Sequence, residues 1–218
     1  RYRPKIARGD ISYDAEHGEK DQSPYCQKIF RKRAFDAMNV AQLAENFRDW
    51  QRATRTFAGL AAYTGGTMTI GDESQAAERL AGSFVTANAF PLLRVTPALG
   101  RHFSEEDDRP GAPPVVILSD VVWRERYGAD SSVIGQTVRL SGASVTVIGV
   151  MPPGFHFPLV ANLWQPLAQA PALAGDARER RDVRTLDVFG RLRDGETLTR
   201  ARAELQTLTA ALAQAHPV

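Results

Sequence analysis

The leucines near the C-terminal end constrain this chain most. Leu198, Ala201, Leu205, Leu208 and Leu212 recur at spacings of three or four, which places them on one stripe of a helix. Thr197 offers a side-chain oxygen for the first turn, and Pro217, with no N–H to donate, halts the helix. A one-sided helix needs a surface to pack on. Burying a Leu side chain is worth roughly 1.5–3 kcal/mol, so this stripe fixes the helix to a lobe. A second helical face lies far upstream, where Leu43, Phe47, Trp50 and Thr54 are spaced by four, three and four.

Strand patterns dominate the sequence between these helices. Residues 60–70 read as strand, a Gly65-Gly66 turn, and strand. Residues 79–86 read as another strand, and Asn88, Ala89 and Phe90 begin a short helix. Ser104 followed by Glu105, Glu106 and Asp107 has the pattern of a helix N-cap with acids in its first turn. Val115-Val116-Ile117-Leu118 is a continuous apolar run, as in a strand buried on both faces. Ser119 or Asp120 then caps a helix carrying Val122, Trp123 and Tyr127, and Gly128 ends it. Residues 133–140 and 143–151 form a hairpin about Ser141-Gly142, stopped by Pro152-Pro153. Residues 162–167 read as a short edge-like strand, 168–182 as a loop, and 183–192 as a strand. Helices and strands do not alternate regularly, so the expected fold class is α+β rather than a doubly wound sheet.

Composition divides the chain once. All four lysines (Lys5, Lys20, Lys28 and Lys32) and the single cysteine, Cys26, lie in the first 32 residues. Residues 1–37 hold nine basic against six acidic side chains, and 38–218 hold 18 against 19. Residues 1–39 are therefore expected as an atypical leader, tail or expression remnant. Lys28, Arg31, Lys32 and Arg33 could alternatively lie near anionic lipid. No apolar run reaches about 18 residues, and the opening Arg1-Tyr2-Arg3-Pro4-Lys5 has no apolar core of a signal peptide. From composition the chain is either cytosolic or part of something longer.

The usual chemistry is missing from the sequence. The nearest string to a nucleophile elbow, Gly142-Ala143-Ser144-Val145-Thr146, lacks its last glycine and sits in the hairpin. Cys26 and His17 could pair as nucleophile and base, but both belong to the atypical leader. The four histidines, His17, His102, His156 and His216, have no metal-ligand spacing. Glu105-Glu106-Asp107-Asp108 lacks the alternation of a calcium loop. No Walker A or G-x-G-x-x-G string is present. The arginines Arg178, Arg180, Arg181 and Arg184 are interleaved with Asp176, Glu179, Asp182 and Asp187, which reads as a self-paired loop rather than a nucleic-acid surface. The sequence thus assigns no catalytic, cofactor-binding or metal-binding residues, no cofactor and no nucleic-acid partner. Trp50, Phe57, Phe103, Trp123, Tyr127 and Trp164 are expected as packing anchors.

The order of motifs adds a specific signal. Phe47-Arg48-Asp49-Trp50 and Phe57-Ala58-Gly59-Leu60-Ala61-Ala62-Tyr63 are followed by Ser83-Phe84-Val85-Thr86-Ala87-Asn88-Ala89-Phe90. Next come Pro97-Ala98-Leu99-Gly100-Arg101-His102-Phe103, Glu106-Asp107-Asp108-Arg109-Pro110-Gly111 and Trp123-Arg124-Glu125-Arg126-Tyr127-Gly128. The series closes with Val147-Ile148-Gly149-Val150-Met151-Pro152-Pro153-Gly154-Phe155, Leu163-Trp164-Gln165-Pro166-Leu167 and the last helix. In this order the motifs resemble the MacB-like periplasmic core domain of ABC-transporter permeases, most nearly the acidobacterial duplicated orphan type. The resemblance does not reach residues 1–40.

The resemblance implies a porter-like α/β lobe (40–79 and 168–218) with a smaller, mostly β-rich insertion (80–167). It implies a non-catalytic domain on the extracytoplasmic side of the inner membrane, coupling cytoplasmic ATP hydrolysis to transport or mechanical work. The implied partners are the permease's own flanking transmembrane helices, a cytoplasmic ABC ATPase, and a periplasmic adaptor or outer-membrane channel. A free-standing ligand-binding or adaptor module, or a hydrolase, is the alternative.

Overall fold

The computed structural model describes residues 29–33, 40–71, 76–158, 160–171 and 186–215. The chain divides into two compact units, one of residues 1–60 and 181–218 and one of residues 61–180. These divisions differ from the boundaries near 79/80 and 167/168 expected from the sequence. Cys26, His17, His216, Lys28 and the arginine cluster 178–184 lie outside the described residues.

The first unit contains strand β1 (Ile29–Arg33), helix α1 (Val40–Ala53), the start of strand β2 (Phe57–Gly71), strand β9 (Asp187–Leu192) and helix α4 (Leu198–Ala215). β1 belongs to the segment expected as a leader, yet it pairs antiparallel with β9, with Phe30 opposite Gly190. α1 is one-sided: Phe47 and Trp50 are buried, whereas Arg48, Gln51 and Arg52 are exposed. α4 packs on α1. Of its stripe, Ala201 and Leu205 are buried, and Leu198, Leu208 and Leu212 are half-buried. Gly190 makes room for this core. A Cβ there would stand 2.6 Å from both Leu60 Cδ2 and Phe57 Cδ1, two side chains that are almost fully buried.

The second unit takes the rest of β2 and adds β3 (Glu78–Val85), α2 (Ala89–Leu93), β4 (Leu99–Gly100), β5 (Val115–Leu118) and α3 (Asp120–Tyr127). β6 (Thr137–Leu140), β7 (Ala143–Val150) and β8 (Leu163–Pro166) complete it. Its strands are hydrogen-bonded in the order β2-β3-β8-β5-β7-β4, and β6 joins both β2 and β7. β3 and β8 are parallel, as are β5 and β7; the other pairs are antiparallel. Among the described residues, mixed parallel and antiparallel strands with four α-helices agree with the α+β expectation.

Three local expectations are corrected. Gly65-Gly66 is not a turn: β2 runs unbroken for 15 residues. Gly65 faces Ser83 and Gly66 faces Gly82 in the ladder, and Met68 packs where a Cβ on Gly82 would fall, 2.7 Å from its Cγ. Gly82 makes room for Met68, whereas a Cβ on Gly65 would meet nothing within 4 Å and one on Gly66 only Phe84, at 3.9 Å; β2 ends at Gly71 and β3 begins at Glu78. Residues 162–167 are not an edge. β8 lies between β3 and β5, and all four of its residues are buried. Pro166 is accommodated as the strand's last residue, where no further ladder donor is required.

The third correction concerns Ser104–Asp107, which is a turn rather than a helix. The capping interactions do form. The Asp107 carboxylate accepts from Ser104 N at 2.7 Å and from Ser104 Oγ at 2.9 Å, while Ser104 Oγ accepts from Asp107 N at 3.2 Å. Arg109 N donates to Glu106 O at 3.3 Å and Ala112 N to Arg109 O at 3.1 Å, so successive turns form, and Pro110, with no N–H, does not continue them as a helix.

Candidate functional site

Two groups of residues concentrate the polar architecture, one in each unit. In the first unit, α1 stops at Ala53 and the chain bends through Thr54, Arg55 and Thr56 into β2. This bend presents backbone N–H groups and hydroxyls that need acceptors. The Glu204 carboxylate on α4 supplies them. It accepts from Thr54 Oγ1 at 2.8 Å, Arg55 N at 2.7 Å and Thr56 N at 3.0 Å, and also from Thr56 Oγ1. Burial alone would raise the Glu204 pKa, but the hydrogen bonds from Thr56, Arg55 and Thr54 prevail and hold it below its ordinary value. The bend is held a second time from the link before α4, where Arg193 N donates to Thr56 O at 2.9 Å. Gln51 Nε2 donates to Leu60 O at 2.9 Å, tying α1 to the strand that comes after it.

In the second unit, aromatic rings surround Phe90. Phe103, Phe155 and Trp164 lie 5.8, 5.9 and 6.0 Å from its centroid, and His102 stacks on it at 6.2 Å. Desolvation lowers the His102 pKa, so the neutral ring is favoured in this cluster. The Trp164 indole N–H donates to Phe157 O at 2.8 Å. Asp108 joins three segments: one carboxylate oxygen accepts from Ala87 N at 3.0 Å and the other from Ala168 N at 2.8 Å. Beside it, Arg101 Nη1 donates to Asp107 at 2.6 Å. That bond, outweighing desolvation with the help of Ser104, lowers the Asp107 pKa to about 2.

One small cavity of about 190 Å³ is bounded by Glu78, Leu80, Val122, Arg126 and Asn162, among others. It is smaller than the roughly 300–1,000 Å³ of ordinary small-molecule sites. Arg126 Nη2 donates to Ala76 O at 3.0 Å, and its Nη1 stands 3.6 Å from Glu78. Among the described residues, no group of three or more His, Cys, Asp or Glu could hold a metal ion. No helix among them is long and apolar enough to cross a membrane.

Of the aromatic anchors, Trp50, Phe57, Phe103 and Trp164 are buried. Trp123 and Tyr127 are half-buried, and the Trp123 indole donates to Asp130 O at 2.8 Å. His156 is exposed. No sequence pattern marks the roles of Glu204 and Asp108, the carboxylates that tie distant segments together in each unit. Glu204 meets partners 148–150 residues away, a pairing no local pattern encodes. Asp108 sits in an acidic string whose members look alike in sequence and differ completely in space.

A family model described as the MacB-like periplasmic core domain matches residues 16–208. The match begins well before residue 40, the limit of the motif resemblance. The fold is similar to the extracellular domain of the noncanonical ABC-type transporter YknZ from Gram-positive bacteria, at 14% identity and a TM-score of 0.57, covering 83% of this chain and 84% of that one. It is similar to the periplasmic region of MacB from Actinobacillus actinomycetemcomitans, at 15% identity and a TM-score of 0.60, covering 86% and 82%. A domain of a permease-like protein from Porphyromonas gingivalis gives 14% identity and a TM-score of 0.57, covering 82% and 71%. No curated protein sequence matches the chain.

Proposed function

We propose, from the premise that this chain belongs to the family of MacB-like periplasmic core domains, that it acts as a relay. It is an extracytoplasmic domain of an ABC-transporter permease. In the proposed reading, ATP hydrolysis by a cytoplasmic ATPase displaces the permease's transmembrane helices, and the domain carries that displacement outward as transport or mechanical work. The domain itself holds no reactive centre in this reading. A periplasmic adaptor or outer-membrane channel is a further partner the reading allows.

One observation carries the relay reading. Helices α1 and α4 pack together, and both are tied to the start of β2 by hydrogen bonds. β2 itself runs unbroken from Phe57 to Gly71. A movement applied to either helix has a covalent, hydrogen-bonded strand to act on. Packed elements of this kind move as rigid bodies because close-packed cores resist continuous deformation.

The test uses the full-length permease with its ATPase in lipid vesicles, and an antibody fragment that binds residues 61–180. Restraining the domain is expected to lower ATP-driven transport while ATP hydrolysis continues. Undiminished transport with the fragment bound would contradict the relay.

A further inference from the structure

We propose that Glu204 is the coupling residue of the α1–β2 bend, joining α4, the end of α1 and the start of β2 into one lever. The inference rests on the relay reading and names the group that makes the relay stiff.

The bend has a specific chemical requirement. Arg55 and Thr56 come just after the end of a helix, and their N–H groups point at α4, where both find Glu204. A carboxylate is suited to this place. It is acceptor-only, with two oxygens and about four lone-pair sites. Here it receives four donors: two backbone N–H groups and the hydroxyls of Thr54 and Thr56. Hydrogen bonds to a charged acceptor contribute more than neutral ones. A glutamine would present an NH2 group to backbone donors and lose at least one of these contacts.

The clasp is joined by a second attachment. Arg193 N donates to Thr56 O, so α4 holds the bend from the link before its first turn and again from Glu204, eleven residues further on. One attachment would leave a pivot; two remove it. Beneath them, Ala201 and Leu205 supply apolar packing. That packing resists separation, but it is non-directional and does not by itself fix the angle of the helix.

The test places spin labels at exposed Arg52 on α1 and exposed Gln206 on α4 of this chain and reads their distance distribution, alongside amide exchange at Arg55 and Thr56. The parent chain is expected to give one narrow distribution. Glu204→Gln is expected to broaden it and to speed exchange at the two amides by about tenfold to a hundredfold, the factor set by losing one hydrogen bond to a charged acceptor. Thr56→Val, which removes a single hydroxyl donor, is expected to act in the same direction and more weakly, and Thr56→Ser to restore the parent behaviour. A distribution that stays narrow in Glu204→Gln, or is already broad in the parent, would overturn the inference. Failure of the relay itself reads differently. A clasp that behaves as described in this chain, in a permease whose transport is indifferent to restraint of the domain, sustains the inference about Glu204 and removes the wider reading.

Discussion

Trp164 meets Phe90 edge to face, with ring centroids 6.0 Å apart and planes at 85°. The contact joins a short helix to a central strand of the second unit, and both side chains are fully buried. Edge-to-face pairs add about 0.5–1.5 kcal/mol beyond their buried area. Phe90 also meets Phe103 and Phe155, so its removal leaves a cavity with several walls. Phe90→Ala is expected to lower unfolding stability by about 3–5 kcal/mol, read from denaturant midpoints with an unchanged slope. A loss below about 1 kcal/mol would mean that the ring is not the keystone of this core.

Gly190 supplies an independent check on the first unit. A methyl group there would sit 2.6 Å from Phe57 Cδ1 and from Leu60 Cδ2, so Gly190→Ala is expected to cost about 1–3 kcal/mol through overpacking. Combining it with Leu60→Ala should cost less than the sum of the two single changes, because the second change opens space for the first. Thermal denaturation of the four proteins in the cycle measures this. Strict additivity would contradict the packing described.

Ser119 tests how well local chemistry specifies the second unit. Its hydroxyl accepts from Val122 N at 3.2 Å at the start of α3, and Gly128 closes that helix in the left-handed conformation. Ser119→Ala is expected to lower stability by about 0.5–2 kcal/mol, and Ser119→Asp to recover most of the loss. Chemical denaturation of both variants decides it.

The Asp107 turn adds a pH dependence of known sign. Its carboxyl titrates near 3.8 when free and at about 2 here, chiefly because Arg101 donates to it. A lowered pKa means that the unfolded chain binds the proton first. The turn's contribution is therefore complete above 3.8 and is lost as pH falls from there towards 2. Arg101 is half exposed, so solvent screening keeps the effect modest. Stability curves of the parent and Asp107→Asn should differ at neutral pH and converge in acid. A difference that persists below the native pKa would show that the carboxylate's charge is not its source.

The parts of the molecule legible in sequence are those decided by neighbours along the chain. Val115–Leu118 is a buried strand because four consecutive apolar residues suit a strand covered on both faces. Ser119 and Gly128 bound α3 because capping is a local hydrogen bond. The C-terminal stripe is a helix because its spacing permits little else. Misreadings arise where partners are distant. Gly65-Gly66 resembles a turn until Gly82 is seen opposite it. Residues 162–167 resemble an edge until β3 and β5 are placed on either side. Ser104–Asp107 carries a true capping signature, and only the downstream proline decides that no helix forms after it. Glu204 is invisible for the same reason: its role is set by residues 54–56, which reach it only after the chain has built everything in between.

The relay is tested most directly by watching α4 during ATP turnover. A donor dye on exposed Gln206, in the full-length permease assembled with its ATPase, is read against acceptor-labelled lipid headgroups in the vesicle. The account expects the transfer efficiency to change on ATP addition, to return when ATP is exhausted, and to change less in Glu204→Gln. A Gln206 signal that stays constant while ATP-driven transport proceeds would contradict it.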